Sequence, residues 1–214
     1  AEHEQPASCP AWARSLWFAG VVLRTACNGS RKKEVPRPRQ IGSPFLYNIA
    51  TCCKRNFFNK IILDCERMKY PFTGLYSFCH HLGTALKKLD DKKELTFYLP
   101  EKEKDIFGLG SNVVIQHSLH KFLMPSLRGY EIWHSTFQGT SYFPSSRKIK
   151  KILTVHDLNF LYDENKSPQK KSKELKKLQN KINNSDAVVA ISKFVLNDLK
   201  NHLRIEDAKT HVIY

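Results

Sequence analysis

The sequence predicts an α/β fold, a Rossmann-like, doubly wound and mostly parallel sheet. Three observations predict it. Seven short apolar runs rich in β-branched residues recur along residues 60–214. Most are near-continuous, as strands covered on both faces are. Segments with helical spacing fall between them, and strand–helix alternation builds an open parallel sheet.

The elements follow in order. "KIILDC" (60–65) is the first strand and leads through "ERMKYPFTG" into "GLYSFCHHLGTALKKL". In that segment Leu75, Phe78, Cys79, Leu82, Leu86 and Leu89 recur at helical spacing and make one apolar stripe. "ELTFYL" (94–99), "NVVIQ" (112–116) and "YEIW" (130–133) are the next strands, the last followed by "HSTFQGTSYFP". "KILTV" (151–155) runs directly into His156 and Asp157. "SPQKKSKELKKLQNKI" opens with Ser167 as a cap and Pro168 at the first helical position. Leu175, Leu178 and Ile182 form its apolar line. "AVVAI" (187–191) precedes Ser192, which caps "KFVLNDLKNHL", and "HVIY" (211–214) is the last strand. There is no internal repeat.

Residues 1–58 read as a leader and 59–214 as the folded domain. The leader holds six Arg and three Lys, whereas the remainder holds four Arg and twenty-two Lys. It carries the basic, Pro-rich "RKKEVPRPRQ", shows no sustained period, and precedes the first methionine, Met68. The expectation is a disordered or poorly packed segment, derived from upstream reading frame or a fusion. The other reading is a targeting segment, since "ARSLWFAGVVLRTA" is loosely signal-like. Arg24 interrupts its apolar region, which argues against secretion.

A length of 214 residues bounds the chain to one large domain or one and a half small ones. Hydrophobic residues at 41% and charged residues at 26% are those of an ordinary globular protein. No apolar run approaches the roughly 18 residues that span a bilayer. The formal net charge of +15 points either to an anionic partner or to a solvated Lys-rich surface. "NKSPQKKSKELKKLQNK" (165–181) has seven lysines and one glutamate and leaves the same choice: a solvated helix face or contact with an anionic membrane. Specific nucleic-acid binding is not expected, because the lysines lack interleaved aromatics or a known motif. Six cysteines stand at 9, 27, 52, 53, 65 and 79, in no zinc spacing. Cys65 and Cys79 lie in apolar elements, where free cysteine acts as a small hydrophobe, and the expected compartment is reducing.

In such sheets ligands sit beyond the carboxyl ends of the strands. Four strand ends here carry polar, aromatic and glycine residues: "ERMKYPFTG", "HSTFQGTSYFP", "HDLNF" and "SK". Thr73 and Gly74 stand at a strand-to-helix turn, where backbone N–H groups and the helix dipole favour a phosphate. Alternatively, Gly74 merely lets the helix start close to the sheet. Neither GxGxxG nor a P-loop is present, which excludes a simple NAD site. His156 titrates near neutral pH, and Asp157 would stabilise its charged form. The alternative is a hydrogen-bonded structural histidine, and His134 carries the same ambiguity. His117 and His120 have no carboxylate at matching spacing, so no metal is expected. His80 and His81 read as ordinary helix residues.

Taken together, "ERMKYPFTGLYSFCHHLGTAL", "IWHSTFQGTSYFP", "KILTVHDLNFLYD" and "DAVVAISKFVLNDL…THVIY" resemble the N-terminal half of a family 4 glycosyltransferase of the GT-B type. The similarity spans residues 59–214 in order. The resemblance implies two Rossmann-like domains around a cleft. It also implies sugar transfer from a nucleotide-sugar donor to a glycan or lipid-linked acceptor, usually with retention and without metal or other cofactor. It places His156 near the reacting centre as the catalytic residue, and Thr73 and Gly74 near the donor phosphates. It places His134, Gln138 and Asp157 on the acceptor side, and Ser192 and Lys193 at the interdomain edge. The chain stops at "HVIY", where the family continues with Asn-Gly and a donor-binding domain. The leaving diphosphate needs charge stabilisation, so the chain by itself is expected to be inactive. The implied location is cytoplasmic, with peripheral contact at the inner membrane face.

Two other readings stay open. One is a non-catalytic basic α/β module that binds anionic polymers or a membrane surface. The other is a nucleotide-sugar epimerase of the same two-domain arrangement.

Overall fold

In the computed structural model, which describes residues 60–213, all seven apolar runs are strands. They are β1 (Ile61–Asp64), β2 (Leu95–Leu99), β3 (Asn112–Ile115), β4 (Ile132–Ser135), β5 (Lys150–Val155), β6 (Ala187–Ala190) and β7 (Thr210–Val212). Three α-helices connect them: α1 (Gly74–Leu89), α2 (Pro168–Asn183) and α3 (Lys193–His202). The expected leader, 1–58, lies outside the described residues.

The strands form one sheet in the order β3-β2-β1-β4-β5-β6-β7. Every pairing is parallel. The strand order reverses between β1 and β4, which is where a doubly wound sheet opens its crevice. β1, β2, β4 and β6 are buried along their whole length, so both faces must be covered, and continuous apolar runs satisfy that. One face presents Leu63, Phe97, Ile132 and Ile152 to Cys79 and Leu82 of α1. On the other face Leu153, Val155, Val188 and Ala190 meet Leu178 and Ile182 of α2 and Val195 and Leu199 of α3. Beside them Ile62, Tyr98 and Trp133 pack under Tyr142 and Ile149 of the loop between β4 and β5.

Each helix starts on a side-chain cap, which satisfies a backbone N–H that has no intrahelical partner. Thr73 accepts from the Tyr76 N–H at 3.2 Å, Ser167 from Lys170 at 3.4 Å and Ser192 from Val195 at 3.2 Å. At Gly83 α1 comes close to the β2–β3 connection and to β2, where an added Cβ would lie 2.5 Å from the Phe107 ring and 3.1 Å from that of Phe97. At Gly74 a Cβ would meet nothing within 4 Å, so packing is not what requires glycine at the helix start.

Two features depart from the sequence reading. The alternation of strand and helix holds for the β1–β2, β5–β6 and β6–β7 connections. The β2–β3 and β3–β4 connections carry only 3-10 turns, and β4–β5 carries no helix. The fourth strand runs from 132 to 135 rather than over 130–133. Its ladder is set by pairing Ile132–Ser135 with Ile61–Asp64, which draws His134 into the strand.

Candidate functional site

The crevice at the strand-order reversal is walled by the ends of β1, β4 and β5 and by the start of α1. β5 ends on Val155, and the next residue, His156, is half-buried. Its Nε2–H donates to the Thr136 carbonyl at 2.7 Å. A carbonyl only accepts, so the neutral ring carries its proton on Nε2 and leaves Nδ1 as an acceptor. The ring meets Phe78 of α1 edge-on, with centroids 4.7 Å apart. Burial lowers the His156 pKa, while the Thr136 carbonyl and Asp157 oppose that shift.

Gln138 fixes the backbone on which His156 stands. Its Oε1 accepts from the His156 N–H at 3.1 Å, and its Nε2 donates to the Asp157 carbonyl at 2.9 Å. The Asp157 carboxylate is turned to its own loop and accepts from the Asn159 N–H at 3.0 Å. His134 lies deeper, 5% exposed, with Nε2 2.9 Å from the Thr154 hydroxyl inside the sheet. Burial, with a smaller contribution from His156, lowers its pKa to about 4, so the ring is neutral. Thr73 serves as the α1 cap, its hydroxyl donating to the Tyr70 carbonyl at 2.9 Å, and Gly74 lies in open space beside it. Phe72, in the same turn, is fully exposed and holds a left-handed φ of 64°, uncommon for a side chain of that size. Ser192 caps α3 and Lys193 is exposed on its first turn, at the end of β6, the strand next to the one that leads into His156. The structure thus gathers His156, Gln138 and Asp157 at one strand end. Thr73 and Gly74 stand across the crevice, with His134 beneath in the sheet.

The structure adds residues that the sequence did not single out. Asp64 ends β1 at 1% exposure and accepts from the Thr140 hydroxyl at 3.0 Å and the Glu66 N–H at 3.1 Å. Burial, then the charge of Glu66, pushes its pKa well up. Burial also raises Glu66, against the cations Arg67, Lys181 and Lys121. Lys181 reaches in from α2 and donates to the Gln138 and Thr140 carbonyls at 2.7 and 2.6 Å. Burial lowers its pKa, and Glu66 and Asp64 oppose the shift. Thr136 donates to the Asp64 carbonyl at 2.5 Å and lies 3.2 Å from Cys79 Sγ. Cys65 and Cys79 are free thiols, both buried. One sequence signal existed for Asp64: a carboxylate directly after an apolar run, the pattern that drew attention to His156. Lys181 stands three residues after Leu178, at the edge of the buried stripe of its helix.

A protein-family model described as Glycosyltransferase Family 4 matches residues 100–214. The chain belongs to glycosyltransferase family 4. It carries an N-terminal-type domain of that family, and the match takes in Gln138, His156 and the five strands β3 to β7. β1, α1 and β2, with Arg67, Thr73 and Gly74, precede the matched stretch but belong to the same parallel sheet. No curated protein and no solved structure matches the chain. Among the described residues of this family 4 domain, no three His, Cys, Asp or Glu side chains gather as a metal cluster would. No described helix is long and apolar enough to cross a membrane.

Proposed function

We propose that this family 4 domain is the acceptor side of a glycosyltransferase. The full protein would move a hexose from a nucleotide-sugar to a glycan or lipid-linked acceptor, with retention and without a metal. The observation that carries the reading is His156. Its ring is anchored through Nε2, it leaves Nδ1 as an acceptor, and it stands at the carboxyl end of β5 beside the strand-order reversal. A neutral imidazole so placed accepts a hydrogen bond from a sugar hydroxyl and orients it, and positioning of that kind supplies much of a transfer rate. The N-terminus of α1, with open space at Gly74, suits the donor phosphates. Asp157 and the loop through Gln138 would border the acceptor, and Ser192 and Lys193 would lie toward a donor-binding domain. That second domain would stabilise the leaving diphosphate, so the domain alone would turn over little. The work would take place in the cytoplasm, with α2 lysines against an anionic membrane face.

The test is transfer by the full-length protein from a panel of nucleotide-sugars. His156→Ala should lower kcat by about a hundredfold or more, the range of a lost positioning or acid–base group. A variant that keeps wild-type kcat would refute the role of His156. Isomerisation of the donor without an acceptor would favour the epimerase instead. Failure to turn over any donor, with polyanions bound, would favour the non-catalytic module.

A further inference from the structure

Arg67 makes no hydrogen bond or ion pair with the groups around Asp64, although its charge acts on Glu66. It lies in the 3-10 turn Glu66–Lys69 that follows β1, on the wall of the crevice. Its guanidinium is held between two aromatic faces, with its carbon 4.7 Å from the Tyr70 ring centroid and 4.7 Å from that of Phe137. Its Nε is buried without a hydrogen-bond partner. No ion pair among the described residues includes it. Glu66 senses its charge but also that of Lys181 and Lys121, and no contact at ion-pair distance joins Glu66 to Arg67.

A buried donor without a partner is destabilising by about 1–3 kcal/mol, and natural proteins keep few of them. Aromatic stacking fixes the plane of the guanidinium but uses none of its N–H groups. What satisfies the buried Nε–H is a planar or tetrahedral oxyanion that accepts side-on from Nε and the adjacent terminal nitrogen in two parallel hydrogen bonds. The place is specific as well. Phe137 also faces the ring of His156, with centroids 6.5 Å apart, and its chain neighbour Gln138 holds the His156 backbone.

We propose that Arg67 is the anion-binding residue of an acceptor subsite, and that the acceptor carries a phosphate or carboxylate group. This rests on the glycosyltransferase reading for the word acceptor, though not for the binding of the anion. The guanidinium grips the anionic group, and the Tyr70 and Phe137 faces keep the fork in plane. A hydroxyl on the same acceptor then lies within reach of His156. A neutral acceptor leaves the fork unpaired and binds more weakly for that reason.

The experiment is a titration of the full-length protein followed through the His156 imidazole C–H signals. Glycerol 3-phosphate and glucuronate stand for the acceptor, glycerol and glucose are the neutral controls, and UDP stands for the donor. Glycerol 3-phosphate or glucuronate should shift the signals saturably, and the neutral compounds should not. Arg67→Gln should weaken that binding by about tenfold or more, the worth of a charged hydrogen-bond pair. Arg67→Lys, which keeps the charge and the fold but not the fork, should weaken it several-fold, with UDP unchanged in both. Equal binding of the anions by wild type and both variants would overturn the proposal. So would a loss confined to UDP, which would assign Arg67 to the donor. Because binding is read directly, Arg67-dependent binding without sugar transfer would sink the enzymatic reading alone. Transfer that is indifferent to Arg67 would sink this inference alone.

Discussion

The crevice wall and the outer face of α2 both carry polar and ionisable residues and do opposite things with them. On α2, Lys170, Lys173, Lys176 and Lys177 stand exposed in solvent. In the crevice wall, Asp64, His134 and Thr136 are buried, and each has a named partner in a neighbouring strand or loop. Lys181 belongs to both regions. It ends the lysine-rich run of α2, yet its amine is spent on two carbonyls of the β4–β5 loop. Charge on a surface is dispensable to the fold, whereas a polar group taken out of water must be matched or it destabilises. The exposed charges of α2 are free but not fixed in place, whereas the matched groups of the crevice wall are held in position by their partners.

The sharpest break between the regions is expected at His134. Its pKa is lowered from 6.5 in the unfolded chain to about 4 in the fold. The proton therefore binds the unfolded chain first as pH falls. The stability linked to the neutral ring is complete above the unfolded value and is lost as pH drops toward the folded one. At about 1.4 kcal/mol per pH unit of separation, that is roughly 3 kcal/mol in all, with about 2 kcal/mol gone by pH 5. Urea unfolding at pH 7.5 and pH 5, compared between wild type and His134→Gln, isolates it from the carboxylates and the other histidines. The wild type should lose about 2 kcal/mol more than the variant between the two pH values. Equal losses would mean that His134 is already protonated in the fold.

Lys181→Met comes next. It removes the donor from the Gln138 and Thr140 carbonyls and a cation from Asp64 and Glu66, while keeping an apolar stem on the helix. Breaking one partner out of a buried set leaves the others unmatched, so the loss should be about 2–3 kcal/mol in chemical denaturation. A loss near zero would show that water replaces the amine, and that this lysine behaves like the rest of its helix.

The same contrast explains what could be read from the chain. Strands buried on both faces are near-continuous apolar runs, so "KIILDC" and "AVVAI" announce themselves. Two helix starts are written in single residues, Ser167 and Ser192, and each proves to be a side-chain cap, whereas Thr73, legible only as a strand-to-helix turn, turns out to cap α1. His156 is visible because an ionisable group directly after "ILTV" has to sit at a sheet edge. The position of His134 is not written locally. Tyr130 and Glu131 look like a strand start, and only the ladder with β1, some 70 residues earlier in the chain, moves the strand two residues on. Arg67 is hidden for the same reason, because its meaning depends on Phe137, which approaches it only across the crevice. Family 4 membership accords with the parallel sheet, but the partner of each side chain is a tertiary fact.

The smallest effect is expected on the outer face of α2, and it is the one that decides what that face is for. Lys173→Gln with Lys176→Gln removes two exposed charges on the second and third turns of α2. Neither lysine has a hydrogen bond or ion pair among the described residues, so stability should change by no more than about 0.5 kcal/mol. Binding to anionic vesicles should respond far more, because each lysine near such a surface contributes about 1 kcal/mol. The pair should therefore weaken vesicle binding by about tenfold or more at low salt. The difference should shrink as added salt shortens the screening length. If vesicle binding is unchanged while sugar transfer is intact, the lysines of α2 are a solvated face. The net charge of +15 would then speak to solubility rather than to a partner.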